Sequence, residues 1–292
     1  MKISKKIKLG FLLILFVLIL AGICQADTCK ATYGNGILSV KLATGSPGEL
    51  GLLKELAEVF NREHNTSMCW IKAGSGKSLE LLKNKKVDIA MVHAPAAEKQ
   101  AVKDGWAIKR VLIGSNEFYI VGPKSDPAGI AYAKSAADAY ARIAKSQSNF
   151  LSRGDNSGTN KKELAIWKKA CIDPEGDWYE GNWYIITKTF MMATLKKADQ
   201  INGYFMTDSS TWVAGKKDIK NLKVLFKGDP VLINTYHGLC QPVGNGKSQE
   251  FASKFIDFIA SKQGQKIVGE YGKGLYGEAM YNDAEYAKQY NH

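Results

Sequence analysis

The stretch Ile37-Leu38-Ser39-Val40-Lys41-Leu42-Ala43, followed by Thr44-Gly45-Ser46-Pro47-Gly48-Glu49 and an apolar-periodic segment at 50–60, decides how the chain is read. Its first seven residues read as a strand, and the last segment repeats its apolar residues at helical spacing. Between them, Ser46 is placed as an N-cap, Pro47 falls at the first helical position and Glu49 stands three residues after the cap. That pattern is a capping-box start. The opening unit is strand, glycine-bearing loop, helix.

The unit recurs. Residues 68–72 give a second short strand, 73–76 a turn, 77–84 a helix and 87–92 another strand, an alternation that predicts a largely parallel sheet with helices on its faces. Residues 117–123 form a further strand whose Gly122-Pro123 exit marks the first crossing into a second domain. Residues 124–230 read as a second α/β unit. It has a helix at 135–145, a strand at 149–151, a helix after Ser157-Gly158-Thr159, and strands at 203–207 and 223–226. Gly228-Asp229-Pro230 precedes an extended apolar segment at 231–236 suited to carrying the chain back. In 248–271, Phe251, Phe255, Phe258, Ile259 and Ile267 fall at helical spacing, and this tail is expected to pack on the first domain. The expected division is a signal peptide at 1–26, one lobe from 27–121 with 232–292, and a second lobe at 122–231. Two α/β lobes joined by two crossing strands, with ligand held in the cleft between them, is the two-lobed periplasmic-binding-protein (type II) architecture.

Composition agrees with a folded, exported chain. With 292 residues, 45% hydrophobic and 23% charged, it can bury a sizeable core and is not a disordered tail. No repeat of 20 to 50 residues stands out, so a solenoid is excluded. Lys2, Lys5, Lys6 and Lys8 precede an uninterrupted apolar run at 11–19 that ends near Ala21-Gly22, the three parts of a secretory signal with a cut before Asp27. The run is shorter than a membrane span of roughly 20 residues, and a retained N-terminal anchor is the alternative. A lipidated Cys24 would need a better triplet than Ala21-Gly22-Ile23. Removing the four lysines of 1–26 from 40 basic residues leaves 36 against 28 acidic, a net +8 that favours anionic partners. Nucleic acid is not among them, because no Lys/Arg block is interleaved with aromatics.

Cys29, Cys69, Cys171 and Cys240 follow the expected cut. An even number in an exported chain argues for disulfides over a bound metal cation, since none of them stands at Cys-x-x-Cys spacing and the four histidines are scattered. Three pairings are open, and proximity in sequence favours Cys29 with Cys69 and Cys171 with Cys240.

Three loops share one design, a small hydroxyl- and glycine-bearing turn feeding into a helix: Thr44-Gly45-Ser46, Gly74-Ser75-Gly76 with Lys77-Ser78, and residues 152–159. Helix starts present unpaired N–H groups and partial positive charge, and glycine admits an anion close to the backbone. Each loop could equally be ordinary capping, for which Ser, Thr and Gly are favoured whatever the function. The third is richer. Arg153 offers a planar five-donor fork, Ser157 and Thr159 add hydroxyls, and Asp155 can orient Arg153.

At this loop the chain resembles the tungstate-binding proteins of ABC transporters. The resemblance rests on Leu151-Ser152-Arg153-Gly154-Asp155-Asn156-Ser157-Gly158-Thr159-Asn160-Lys161-Lys162-Glu163-Leu164, on Val87-Asp88-Ile89 through Val92-His93-Ala94-Pro95, on Phe118 to Pro123 with Asp126-Pro127-Ala128-Gly129-Ile130, and on Leu225-Phe226-Lys227-Gly228-Asp229-Pro230 with Asn234-Thr235-Tyr236. It implies a receptor, periplasmic or otherwise outside the cytoplasm, that captures an oxyanion and hands it to a permease and its ATPase. It implies no enzymatic activity and no cofactor, tungstate or molybdate as ligand, and action as a monomer. By position it assigns ligand binding to Thr44, Ser46, Ser75, Arg153, Ser157 and Thr159. The chain also departs from the family. Ala43-Thr44-Gly45-Ser46 stands where the family has Thr-Thr-Thr-Ser, Thr187-Lys188-Thr189-Phe190-Met191-Met192 where it has a Gly-Gln-Gly-Met turn, and Thr207-Asp208-Ser209-Ser210-Thr211 where it has Thr-Asp-Arg-Gly-Thr. One arginine is therefore absent, and Lys188 or Lys77 is the expected replacement for its charge.

Phosphate-binding proteins carry an Arg-x-Asp-x-Ser-Gly-Thr loop at the spacing of Arg153 to Thr159, so the motif alone does not choose the oxyanion. Phosphate near neutral pH bears a proton and needs an acceptor, whereas tungstate and molybdate want donors only. With Asp155 expected on Arg153 and Glu49 in its capping box, the three loops lean toward tungstate or molybdate. An anion sensor that does not transport would share the same binding loops. Other readings fall away. Gly76-Lys77-Ser78 lacks the first P-loop glycine, since position 71 is Ile71. Arg153-Gly154-Asp155 sits between a strand and a helix and is not a projecting adhesion tripeptide. Ser157 lacks a nucleophile-elbow setting, and His64, His93, His237 and His292 show no relation to it. His93, before Pro95, reads as a turn residue, and Trp178, Trp183, Tyr184 and Trp212 as core or cleft wall.

Overall fold

The structure, a computed structural model, describes residues 28–176, 182–244 and 246–291. The signal peptide expected at 1–26 lies outside the described residues. Eleven strands are described: β1 (Ala31–Tyr33), β2 (Leu38–Thr44), β3 (Thr66–Lys72), β4 (Ile89–Val92), β5 (Ile108–Pro123), β6 (Phe150–Ser152), β7 (Tyr184–Ile186), β8 (Tyr204–Asp208), β9 (Leu222–Phe226), β10 (Ile233–Cys240) and β11 (Asn282–Asp283). Their order is β1-β3-β2-β4-β10-β5-β8-β6-β7, with β9 and β11 also paired to β5.

The strand–helix units pair in parallel, β3 and β4 flanking β2, and β7 and β8 flanking β6. Antiparallel pairing enters where the two long strands run through. β10 lies antiparallel to both β4 and β5, and β5 antiparallel to β8 and β9. β5 extends well beyond the segment expected at 117–123. Its first part, from Ile108, carries Lys109, Arg110, Ser115 and Asn116, which mask the apolar signal. The strand forms there because β10 pairs with it as far as Glu117, after which β8 and β9 take over from Phe118 onward.

Two cores result. One gathers Leu42, Leu53, Phe60, Phe255 and Ile256, and across the same strands Ala43, Ile71, Leu82, Val92 and Leu239 form a further apolar cluster. The other gathers Phe118, Tyr140, Phe150, Trp167, Leu195 and Tyr204. Tyr140, Phe150 and Trp167 meet in tilted and edge-to-face geometry with centroids 4.4 to 5.1 Å apart, the arrangement ring quadrupoles favour.

Three local expectations are corrected. Ser46–Glu49 is a single helical turn capped by Gly45 without a side-chain cap, so the capping box does not form. Glu49 instead pairs with Lys72 at 2.8 Å. The chain then bends at Gly51, whose φ of 94° suits glycine, and the apolar-faced helix runs from Leu52 to His64. The tail from 248 to 271 is two helices, Lys247–Ala260 and Lys262–Glu270, separated by Ser261, whose hydroxyl caps the second by accepting from the Gly264 amide. Its apolar residues Phe255, Ile256 and Ile259 pack in the first core as expected. Cys29 and Cys69 are joined, tying the segment before β1 to β3, but Cys171 and Cys240 are not. Cys171 is exposed just past the helix Gly158–Lys169, while Cys240 is buried at the end of β10 in the first core. Nearness in sequence did not translate into nearness in space. No helix among the described residues is long and apolar enough to cross a membrane.

Candidate functional site

The arginine loop is built by its own backbone. After β6 the chain turns through Gly154 and Asn156, both at positive φ, and enters the helix Gly158–Lys169. A Cβ on Gly154 would lie 2.4 Å from Cγ2 of Ile186, so the loop admits only glycine there. Ser157 caps the helix by accepting from the Asn160 amide, which leaves its own hydroxyl hydrogen available. Beneath the loop, Ser152 donates to Glu163 at 2.8 Å and accepts from the Gly154 amide at 3.1 Å. Above it, Arg153 donates from Nη2 to Asp155, and the other oxygen of Asp155 accepts from the Ser157 amide at 3.1 Å. Only 5% of the Arg153 side chain is exposed.

The second loop meets this one from the other core. A Cβ on Gly74 would stand 3.1 Å from Cβ of Ser157, and one on Gly76 2.8 Å from the carbonyl of Asn156. Glycine therefore permits the close approach that the sequence attributed to an anion. Ser75 accepts from the His93 amide at 3.1 Å, and the imidazole of His93 lies against Gly158, where a Cβ would be 2.5 Å from Cε1. Ser46 of the first loop also reaches across and donates to Asp208 at 3.2 Å. Asp208 is the N-cap of the short helix Ser209–Gly215 and accepts from both the amide and the hydroxyl of Thr211.

At this junction lie three buried polar atoms with no hydrogen-bond partner among the described residues: Nε of Arg153, Oγ1 of Thr159 and Nδ1 of His93. Buried polar groups are otherwise almost always satisfied, and leaving one unmade costs about 1–3 kcal/mol. Two of the three are obligate or ready donors, and the third becomes one in the matching tautomer. Such a set suits a ligand made of acceptors. Among the described residues no group of three His, Cys, Asp or Glu is placed to hold a metal ion.

Of the residues singled out from sequence, the loops of Ser75 and of Arg153 and Ser157 meet here, Ser46 reaches the second core through Asp208, and Thr159 follows Gly158 in the first turn of the helix. Thr44, wholly buried at the end of β2, spends its hydroxyl on the Met91 carbonyl at 2.9 Å and takes the Trp70 indole N–H on its own carbonyl, so it braces the loop. Lys188 donates to the Gly154 carbonyl at 2.6 Å and pins the arginine loop. Lys77 pairs with Glu80 at 2.7 Å, both about half exposed along the helix Ser75–Lys83. Lys188 thus bonds the arginine loop itself, and Lys77 stands in the first turn of the helix that follows the second loop. His93, Asp208 and the ring of Phe190 were missed as site residues. The Asp208-to-Thr211 spacing signals a cap in the sequence, but nothing local shows that the cap faces Ser46.

Burial sets the protonation states. His93 is held far below its usual range, at about 3, first by burial and then by the charge of Arg153, so it is neutral. Asp208 is shifted upward by burial, opposed by the Thr211 and Ser46 hydrogen bonds and by Arg153. Glu163 is pushed up to about 7 by burial, against the hydrogen bonds from Tyr184, Ser152, Trp167 and Asn160.

Two cores hinged on shared strands, with donor loops from both meeting at one buried junction, define a two-lobed solute-binding protein. Residues 28–263 match the model described as a PBP superfamily domain. The chain belongs to the PBP superfamily and, within it, to the family of tungstate-binding proteins of ABC transporters. It is similar to the tungstate-binding protein TupA of Peptoclostridium acidaminophilum, with 34% identity over 242 residues, 80% of this chain and 82% of that one. The crystal structure of the tungstate ABC transporter from Geobacter sulfurreducens is similar at 36% identity and a TM-score of 0.70, covering 81% of this chain and 100% of that one. The tungstate-binding protein TupA from Desulfovibrio alaskensis G20 gives 35% identity, a TM-score of 0.68 and coverage of 84% and 98%.

Proposed function

We propose that this chain is an exported receptor that captures tungstate, and molybdate as the near-isosteric alternative, and delivers it to an ABC permease and its ATPase without covalent chemistry. Residues 1–26 direct export, 27–121 with 232–292 make one lobe, and 122–231 the other. The anion sits at the start of the helix Gly158–Lys169. Arg153, Ser157 and Thr159 donate from one lobe, and Ser75 and neutral His93 from the other, while Ser46 gives its hydrogen to Asp208 and ties the first loop across the seam. The observation that carries this reading is the buried, partnerless trio of Arg153 Nε, Thr159 Oγ1 and His93 Nδ1. Donors drawn from both lobes make closure and binding one event, because only the closed state completes the set.

The carboxylates at the junction favour a fully deprotonated anion over hydrogenphosphate. Asp155 is occupied by Arg153 and the Ser157 amide, and Asp208 by Thr211 and Ser46. Neither stands ready to accept a ligand proton. Titration calorimetry with tungstate, molybdate, phosphate and sulfate is the test. Tungstate and molybdate should bind, with phosphate at least a hundredfold weaker; sulfate, likewise fully deprotonated, reports discrimination by size, and its binding tightest would replace the ligand. Silence from all four ends the oxyanion reading, and tightest binding by phosphate replaces the ligand.

A further inference from the structure

Phe190 stands where two cations from opposite cores meet. It is the residue before the helix Met191–Ile201, at the N-cap position, where its side chain can make no cap. Its ring centroid lies 4.2 Å from Nζ of Lys72, at the end of β3 in the first core. The same centroid lies 5.3 Å from Cζ of Arg153, just beyond β6 in the second. Both distances fall within the range of roughly 6 Å in which a cation is attracted to an aromatic face. Lys72 is itself oriented by Glu49 at 2.8 Å. The chain Glu49–Lys72–Phe190–Arg153–Asp155 therefore runs across the seam between the lobes. It is continuous with the candidate anion site, because Arg153 belongs to both.

We propose that Phe190 is a retention- and specificity-determining residue, an aromatic clasp that joins the lobes through Lys72 and roofs Arg153 against water. The inference rests on the anion-binding reading for its consequence but not for its existence. The ring shields the guanidinium, which keeps the charge-assisted bonds to a small anion in a poorly solvated setting where they are strongest. The roof also bounds the site, so that a tetrahedral anion is enclosed and one bearing an organic substituent meets the ring. Lys72, paired with Glu49 and outside the anion's immediate donors, acts by holding the ring and so slows release more than it sets contact energy.

The experiment measures tungstate dissociation by stopped-flow competition with molybdate for the full mature chain and for Phe190→Leu, Phe190→Tyr and Lys72→Met. Leu keeps apolar cover without a π face. The proposal expects F190L and K72M each to release tungstate about tenfold faster or more, and F190Y to restore retention. Release at the wild-type rate from F190L and K72M would overturn it. Hydrogen exchange of the ligand-free chain gives a readout independent of any anion. F190L should raise exchange in segments 66–76 and 184–195, and unchanged exchange there would overturn the clasp. Should the wild-type chain bind none of the four anions, the functional reading fails while exchange still decides the clasp.

Discussion

Arg153 concentrates what single residues do here. One nitrogen is fixed by Asp155, another is buried without a partner among the described residues, and the guanidinium lies over the ring of Phe190. Arg153→Ala removes a charge-assisted donor from a desolvated site, and tungstate affinity measured by calorimetry should fall about a hundredfold or more while far-UV circular dichroism is unchanged. Arg153→Lys should rescue little, since an ammonium lacks the fork. Glu163 makes a different prediction. Its folded-state pKa is raised from 4.5 to about 7, so the folded chain holds the proton more tightly than the unfolded one. That contribution is complete below about pH 4.5 and is lost as pH rises through about 7, on the order of 3 kcal/mol across the window. His93 has the opposite sign, because a pKa lowered to about 3 contributes stability that is lost as pH falls below 6.5. The two overlap, so the measurement is the difference in urea-unfolding free energy between wild type and Glu163→Gln. That difference should decline from pH 4.5 to 7, and a flat difference contradicts the assignment.

At the scale of elements, the start of the helix Gly158–Lys169 is the critical piece. Its cap, Ser157, and its first residue, Gly158, touch the second loop and His93, which belong to the other core. A methyl group on Gly158 would meet Cε1 of His93 at 2.5 Å and the His93 carbonyl at 2.8 Å. Gly158→Ala should therefore wedge the seam, weakening tungstate binding about tenfold or more and lowering Tm by several degrees. Gly274→Ala is the control, having no atom of the described residues within 4 Å of the added group; equal effects from both would refute the wedge. Element existence was largely readable in the sequence. The helix after Ser157 and the strand before Arg153 follow from capping residues and apolar spacing. The extent of β5 was not, because its polar residues Ser115 and Asn116 are strand residues only through their pairing with β10, and Lys109 and Arg110 lie in a bulge between the paired Ile108 and Val111.

For the whole molecule, ligand that binds only the closed, folded form must stabilise it. Tungstate at a hundredfold over its Kd should add about 2.7 kcal/mol to unfolding. Thermal melts should then shift upward by about 5 °C, with a shift of about 1 °C or less for Arg153→Ala at the same tungstate concentration. Absence of the wild-type shift would separate the fold from the function assigned to it. By itself the sequence determined the α/β alternation, the chain's crossing between two units and the three glycine-hydroxyl loops. Capping, periodicity and close-approach glycines act over a few residues and leave their mark in local order. Only the tertiary structure decided that Cys171 and Cys240 stay apart and that Lys188 bonds the Gly154 carbonyl while Lys77 pairs with Glu80. It alone set Asp208 against Ser46, His93 against Gly158 and Phe190 beside Arg153. Those are contacts between residues far apart in the chain, set by how two cores fold back along β5 and β10, and no local pattern encodes them.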